Sequence, residues 1–241
     1  MPNQFKRSEL LFKKEGMEKL NRARILVFGI GGVGGYVVEA LARSGVIHFT
    51  LVDNDVVSET NINRQIIATM DTIGQPKVEV MKKRIESINP FAVVETVQCF
   101  YLPETSSQFD FSDYDYVIDC VDTVVAKISI IVEAKKNNVP VISAMGAGNK
   151  MHPEMLEVSD ISKTEVDPLA KVIRTSLRKL GINHLKVVYS KEQPLEINDD
   201  PNVELKEKSG RPAPGSNAFV PSAMGLIIAS VVIRELIGYD K

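Results

Sequence analysis

Glycines interrupt the apolar stretch "ARILVFGIGGVGGYVVEALARSG" at residues 23–45. Gly29, Gly31 and Gly34 fit the pattern G-x-G-x-x-G, with Gly32 as an extra glycine. In such a turn the first glycine permits a tight reversal and the second lets backbone N–H groups approach a phosphate. The third lets the following helix pack on the preceding strand. The phosphate then rests at the positive end of that helix. The glycines alone do not say whether that phosphate belongs to a redox dinucleotide or to ATP.

The residues that follow discriminate between the two. Asp53 closes "HFTLVD" where a ribose-binding acid is expected, and it suits either nucleotide. "SETNINRQ" (58–65) is rich in side-chain donors, and Lys77 comes soon after in "GQPKVE". A dinucleotide's pyrophosphate needs little beyond the helix end. Arg64 and Lys77, flanking one phosphate site, supply the charge a triphosphate requires. Asp119 and Asp122, in "IDCVDT", sit at the carboxyl end of a strand, where open α/β sheets bind ligands. A carboxylate there holds Mg²⁺ against phosphate oxygens, and Asp122, the further out, is the better metal candidate. Asp55 reads as a solvated strand-end acid and Cys120 as a core residue.

These residues need a scaffold, and hydrophobic periodicity supplies one. A strand over 23–29, the turn, a helix stopped by Gly45 and a second strand over 48–53 make a right-handed βαβ unit. Val78, Met81, Ile85 and Ile88 fall at helical spacing before Pro90. Strands follow at 92–98, 114–122 and 139–144, with a helix over 126–138. Alternating strands and helices predict a Rossmann-like, doubly wound, mostly parallel α/β sheet. "LEVSDISKT" reads as a strand pairing antiparallel at the sheet edge, and "HLKVVYS" as another strand. In "DPLAKVIRTSLRKLG", Asp167 suits an N-cap, Pro168 the first helical position and Gly181 the stop. Its stripe would be Leu169, Val172, Ile173, Leu177 and Leu180. Near the N-terminus, Leu10, Leu11, Met17 and Leu20 would line one side of a helix over 8–20. A single domain over 1–241 is expected, with an arm (1–22), a nucleotide-binding core (23–150) and a substrate-facing, dimer-packing half (151–241).

Bulk properties narrow the class. At 44% hydrophobic and 25% charged residues, with a formal net charge of -2, the chain is neither disordered nor basic overall. Its two cysteines, Cys99 and Cys120, form no C-x-x-C pair, which excludes a Cys-rich zinc site. Their scarcity fits a reducing, cytoplasmic setting. The apolar run Ala223–Ile233 is shorter than the roughly 20 residues a bilayer demands, so it reads as a core helix and no membrane role is expected.

"GIGGVG", "LVDNDVVSETNINRQ", "GQPKVE" and "DCVDT", in that order and spacing, resemble the ubiquitin-activating-enzyme-like ThiF/MoeB/HesA superfamily. The resemblance implies a homodimer that uses ATP and Mg²⁺ to adenylate a carboxylate. By position it assigns ATP binding to Gly29, Gly31, Gly32, Gly34, Asp53, Asn61, Arg64, Gln65, Lys77, Asp122 and Thr123, with the metal on Asp122. Arg64, Lys77 and Asp122 would act in catalysis, joined by Arg7 from "KRSELL", reaching in from the partner subunit. Members that activate proteins usually carry zinc cysteines or a downstream acyl-accepting cysteine, and this sequence has neither. "GAGNK", "VSDISKTEVDPLAKVIR", "VVYSKEQP" and "PGSNAFVPSAMGLIIAS" instead resemble the branch of tRNA threonylcarbamoyladenosine dehydratases. No membrane-associating extension is expected after Lys241.

That branch implies adenylation of the threonyl carboxylate of a modified tRNA adenosine, then ring closure. A monovalent cation in the "GAGN" loop and sulfur-relay partner proteins are further implications. Lys171, Arg174, Arg178 and Lys179 are candidate RNA contacts, with Lys206, Lys208 and Arg211 weaker ones. The alternative is a sulfur-carrier protein adenylyltransferase acting on a Gly-Gly end. An NAD-dependent oxidoreductase leaves Arg64, Lys77 and Asp122 without a purpose.

Overall fold

The computed structural model describes residues 3–197 and 213–239. Lys206, Lys208 and Arg211 lie outside the described residues. Seven strands form one sheet: β1 (Arg24–Phe28), β2 (His48–Val52), β3 (Val93–Val97), β4 (Tyr116–Asp119), β5 (Val141–Ala144), β6 (Leu156–Asp160) and β7 (Lys186–Ser190). Their spatial order is β3-β2-β1-β4-β5-β7-β6. Every neighbouring pair is parallel except β6 with β7. The chain runs outward from β1 through β2 to β3, then returns to start β4 on the other side of β1. The carboxyl ends of β1 and β4 therefore form the switch point, the usual ligand crevice of such sheets.

Strand alternation divides the core between the two faces. Along β1, Ile25 and Val27 face one apolar cluster while Leu26 and Phe28 face the other. The first face is covered by α1 (Lys6–Arg22), α2 (Gly34–Arg43), α3 (Lys77–Ile88) and α6 (Val220–Ile237), through Met17, Leu41, Met81 and Ile228 among others. The second is covered by α4 (Val124–Lys136) and α5 (Pro168–Lys179), through Ile130, Ile131, Ile173 and Leu177. α6 is long and apolar enough to cross a membrane by composition, but it packs along α2 and α1 with Met224, Ile228 and Val232 wholly buried.

Two expected stripes differ. In α1 the backbone leaves the helical region at Lys13 (φ 60°, ψ 168°), so the helical register does not carry across it. Met17 and Leu20 are buried, whereas Leu10 and Leu11 are 84% and 75% exposed. In α5 the buried line is Ala170, Ile173 and Leu177, spaced three and four apart. Val172 falls off that line, and Leu180 lies past the last turn; both are exposed. The N-cap expectation for α5 holds, with Asp167 Oδ1 accepting from the Ala170 N–H at 2.9 Å.

Candidate active site

The turn after β1 is built so that only its middle needs a ligand to explain it. Gly29 has φ +87°, and a Cβ there would lie 2.7 Å from the Cys120 carbonyl oxygen. A Cβ on Gly34 would lie 1.8 Å from the Gly29 carbonyl oxygen. Packing of α2 against β1 and β4 thus dictates both glycines. Gly31 is different: the nearest heavy atom to its Cβ would be Gln65 Nε2, at an ordinary 3.8 Å. The protein itself has room for a side chain there, and the glycine keeps the backbone open on the cavity side. No side chain caps the start of α2; the Gly35 and Tyr36 N–H groups donate to the Gly31 and Val33 carbonyls at 3.0 and 3.1 Å, and the positive end of the helix lies behind the turn.

Asp53 fixes this turn from the next strand. Its Oδ2 accepts from the Ile30 N–H at 2.7 Å and its Oδ1 from the Asp55 N–H at 2.8 Å. The acid expected to hold ribose is therefore also a clamp between two loops. Asp53 lines a cavity of about 390 Å³ at the switch point.

The donor-rich segment 58–65 curls under this cavity. Asn61 Oδ1 accepts from the Ser58 N–H at 3.1 Å, closing a capping box. Arg64 Nη1 is steadied by the Thr60 carbonyl (2.9 Å) and Asn63 Oδ1 (3.0 Å). Burial draws the Arg64 guanidinium below its ordinary value, and it remains a cation. Gln65 is buried, and its Oε1 has no hydrogen-bond partner. Lys77, at the start of α3, is also buried, and its Nζ donates to Asp55 Oδ2 at 3.0 Å. Asp55 is thus no solvated acid. Its ion pair follows from a backbone pairing of 55–57 with 74–77 that the sequence did not announce.

The two aspartates after β4 have separate tasks. Asp119 is wholly buried: Oδ2 accepts from Lys127 Nζ (2.8 Å) and Ser143 Oγ (2.5 Å), and Oδ1 from the Val121 N–H (3.2 Å). Burial pushes its carboxyl up, against the pull of Lys127 and Ser143. Lys127 Nζ also reaches the Ala144 carbonyl at 2.8 Å, tying the ends of β4 and β5 together. Asp122, three residues on, is exposed, faces the cavity and touches only Thr123 Oγ1 among its described partners, at 3.3 Å. Cys120 and Cys99 also line the cavity. Burial raises both thiols, and the Asp119 carboxylate raises Cys120 further, so neither is a ready nucleophile.

The second half closes the far rim. Lys150 Nζ bonds the Gly146 carbonyl (2.6 Å) and Asp167 Oδ2 (2.9 Å), placing an ammonium inside the "GAGN" loop. Asn149 (φ 58°) exchanges bonds with Gly215: its N–H donates to the Gly215 carbonyl, and its Oδ1 accepts from the Gly215 N–H. Asn63 Nδ2 donates to the Ser216 carbonyl at 3.0 Å. Ala147, Gly148, Pro214 and Ser216 consequently share one cavity with the glycine turn, Arg64 and Lys77.

Of the expected site residues, Gly29, Gly31, Gly32, Asp53, Asn61, Arg64, Gln65, Lys77, Asp122 and Thr123 line this cavity. Gly34 lies behind it in the packing of α2. Arg7 lies elsewhere, on the exposed arm beside Lys6, Glu9, Leu10 and Lys14. Lys171, Arg178 and Lys179 are exposed on α5. Arg174 is turned inward, its Nη1 donating to the Thr164 carbonyl (2.7 Å) and hydroxyl (2.5 Å). The sequence reading missed Asp55, Lys127 and Lys150 as partners. It also missed a wall of Phe100 and Tyr101, the latter stacked edge-on to Phe28. A lone lysine in the apolar run "VVAKISII" was the available sign for Lys127.

At the switch point of this α/β sheet, a glycine turn, two cations and three carboxylates line one cavity, the arrangement of a nucleotide-binding α/β protein. The chain belongs to the ThiF family, whose model matches residues 5–241. It is 47% identical to a tRNA threonylcarbamoyladenosine dehydratase of Bacillus subtilis (strain 168), over 98% of this chain and 96% of that one. It is 41% identical to the Escherichia coli (strain K12) protein of the same name over 70% of this chain, a stretch that spans 63% of the relative's length. The structure matches that of the E. coli dehydratase TcdA in complex with ATP with a TM-score of 0.87, at 32% identity, covering 98% of this chain and 95% of that one.

Proposed function

We propose that this chain is an ATP-dependent dehydratase acting on tRNA that carries threonylcarbamoyladenosine. The threonyl carboxylate attacks the α-phosphate of ATP, forming an acyl-adenylate as pyrophosphate leaves. The neighbouring carbamoyl group then attacks the activated carbonyl, loses its proton and expels AMP. A ring closes, and the net change in the nucleoside is loss of water. The nucleophile for the second step is already tethered to the substrate, so a high effective concentration replaces an enzyme nucleophile. Cys99 and Cys120, with thiols raised by burial, are consistent with that. Arg64 and Lys77 stabilise charge on the phosphates, the N–H groups of the glycine turn hold them, and Asp53 takes the ribose.

Three carboxylates (Asp53, Asp55, Asp122) against two cations (Arg64, Lys77) line the cavity among the described residues. A polyphosphate entering such a site needs further positive charge, so the residues present fit Mg²⁺, with Asp122 as its protein ligand. Bound there, Mg²⁺ would neutralise phosphate charge. Lys150 already supplies a cation within the "GAGN" loop, where a monovalent ion is the alternative.

The further parts of the reading concern assembly. A homodimer would bring Arg7 of one subunit into the other's cavity, which Arg7 does not reach within its own chain. Residues 1–22 then serve as an arm, 23–150 as the nucleotide-binding core and 151–241 as the substrate-facing half. Lys171, Arg178 and Lys179 offer charge to RNA phosphates from α5. The work is cytoplasmic, where tRNA and ATP are found, and sulfur-relay proteins are candidate partners.

The observation that carries this reading is the convergence of Gly31, Arg64, Lys77 and Asp122 on one cavity, in a chain alike over nearly its whole length to dehydratases of this name. Mass spectrometry of tRNA nucleosides from cells with and without the gene tests it. Loss of the cyclic nucleoside with accumulation of the open form is expected; an unchanged profile refutes it.

A further inference from the structure

Asp55 is out of place in a cavity built for phosphates. Asp53 clamps the glycine turn and Asp122 is exposed at the cavity, but Asp55 holds one of the cations that the phosphates require. Its Oδ2 lies 3.0 Å from Lys77 Nζ. The backbone enforces this opposition. The Lys77 N–H donates to the Asp55 carbonyl at 3.0 Å, Val56 bridges Pro76 in antiparallel fashion, and the Val57 N–H donates to the Gln75 carbonyl at 2.9 Å. The same stretch is anchored to the turn, because Asp53 accepts from both Asp55 and Ile30. The backbones of Asp55 and Lys77 are therefore held opposite each other.

Burial gives the pair consequence. The Lys77 side chain is 7% exposed, against 38% for Asp55. A nearly buried ammonium needs a partner, and without nucleotide Asp55 is that partner. An arriving phosphate must share the ammonium with a carboxylate whose backbone is tied beside it. We propose that Asp55 is a built-in competitor of the nucleotide for Lys77. It holds ground-state ATP affinity down, so that Lys77 is drawn on most fully as negative charge moves onto the departing pyrophosphate. Interactions that strengthen only in the transition state raise the rate, while tight ground-state binding does not. The proposal rests on the reading that this cavity holds ATP.

Asp55→Asn tests it, since the amide keeps the shape and leaves both backbone bonds in place. The ligand-free melting temperature should fall, while ATP binds about fivefold more tightly, the scale of one part-exposed ion pair. The kcat for ATP–pyrophosphate exchange should fall by a similar factor, leaving kcat/KM for ATP nearly unchanged. A residue that merely supported the fold would lose stability and ATP affinity together, so unchanged or weaker ATP binding overturns the proposal. Asp55→Ser gives the same reading if the amide variant folds poorly. In a Lys77→Met background the tightening should vanish; if it persists, Asp55 repels phosphate directly and the competition is refuted. A wild-type chain that fails to bind ATP refutes the ATP reading itself, and the proposal with it.

Discussion

Gly31→Ala separates what the turn needs for folding from what it needs for a ligand. The added methyl would meet nothing of the protein closer than Gln65 Nε2, at 3.8 Å. Gly31 also has no positive φ, so alanine meets no left-handed backbone strain there. Replacing glycine at such a position stabilises a protein by about 0.4–1 kcal/mol, by narrowing the unfolded ensemble. Thermal unfolding of the ligand-free variant should therefore match or exceed wild type. Its ATP affinity should fall at least about tenfold, roughly 1.4 kcal/mol, because the methyl stands where a phosphate must approach the backbone. Gly34→Ala is the contrast. Its methyl would sit 1.8 Å from the Gly29 carbonyl oxygen, and folding itself should fail. Calorimetric titration with ATP beside a melting curve reads both. Wild-type ATP affinity in Gly31→Ala would refute the claim that this turn is the phosphate floor.

Other expectations follow from the buried charges and the arm. Lys127→Met strands the Asp119 carboxylate at 0% exposure and should cost about 3–5 kcal/mol in denaturant unfolding, with Asp119→Asn added to it recovering part of the loss. Mixing Arg7→Ala subunits with Asp122→Asn subunits, each inactive alone, should restore about a quarter of wild-type exchange activity, since half the dimers are hybrid and each has one complete site. No recovery would mean that the arm does not cross between subunits. At Glu39, burial alone would raise the pKa, but hydrogen bonds and charge from Arg84 and Arg43 outweigh it and lower it. Its contribution to stability is thus present above the unfolded value near pH 4.3 and lost as pH falls through the lower folded value. Stability measured against pH should show a flatter acid limb in Glu39→Gln.

Features set by neighbours in sequence were readable without the structure. The βαβ unit, the α5 cap at Asp167 and the antiparallel edge strand depend on local periodicity and turn chemistry. Arg64, Lys77 and Asp122 were legible because residue type and order near a phosphate turn carry meaning. The rest depends on contacts between distant segments. Asp55 gains its partner only through the pairing of 55–57 with 74–77. Asp119 and Asp122 look alike as sequence, yet Lys127 and Ser143 bury one and leave the other to the cavity. Arg174 shared a charged helix face with Lys171 and Arg178 until the loop at Thr164 claimed it. The apolar stripe in α1 failed because Lys13 breaks the helical register, which spacing alone does not reveal.

In the proposed reaction ATP activates a carboxylate on tRNA, and no part of the enzyme takes the acyl group. Incubating the purified protein with ATP, Mg²⁺ and tRNA bearing threonylcarbamoyladenosine tests it most directly, with nucleosides and AMP measured together. One AMP should be released for each nucleoside that loses water, with no adduct on the protein. Dehydration without AMP, or an acyl group found on Cys99 or Cys120, would contradict it.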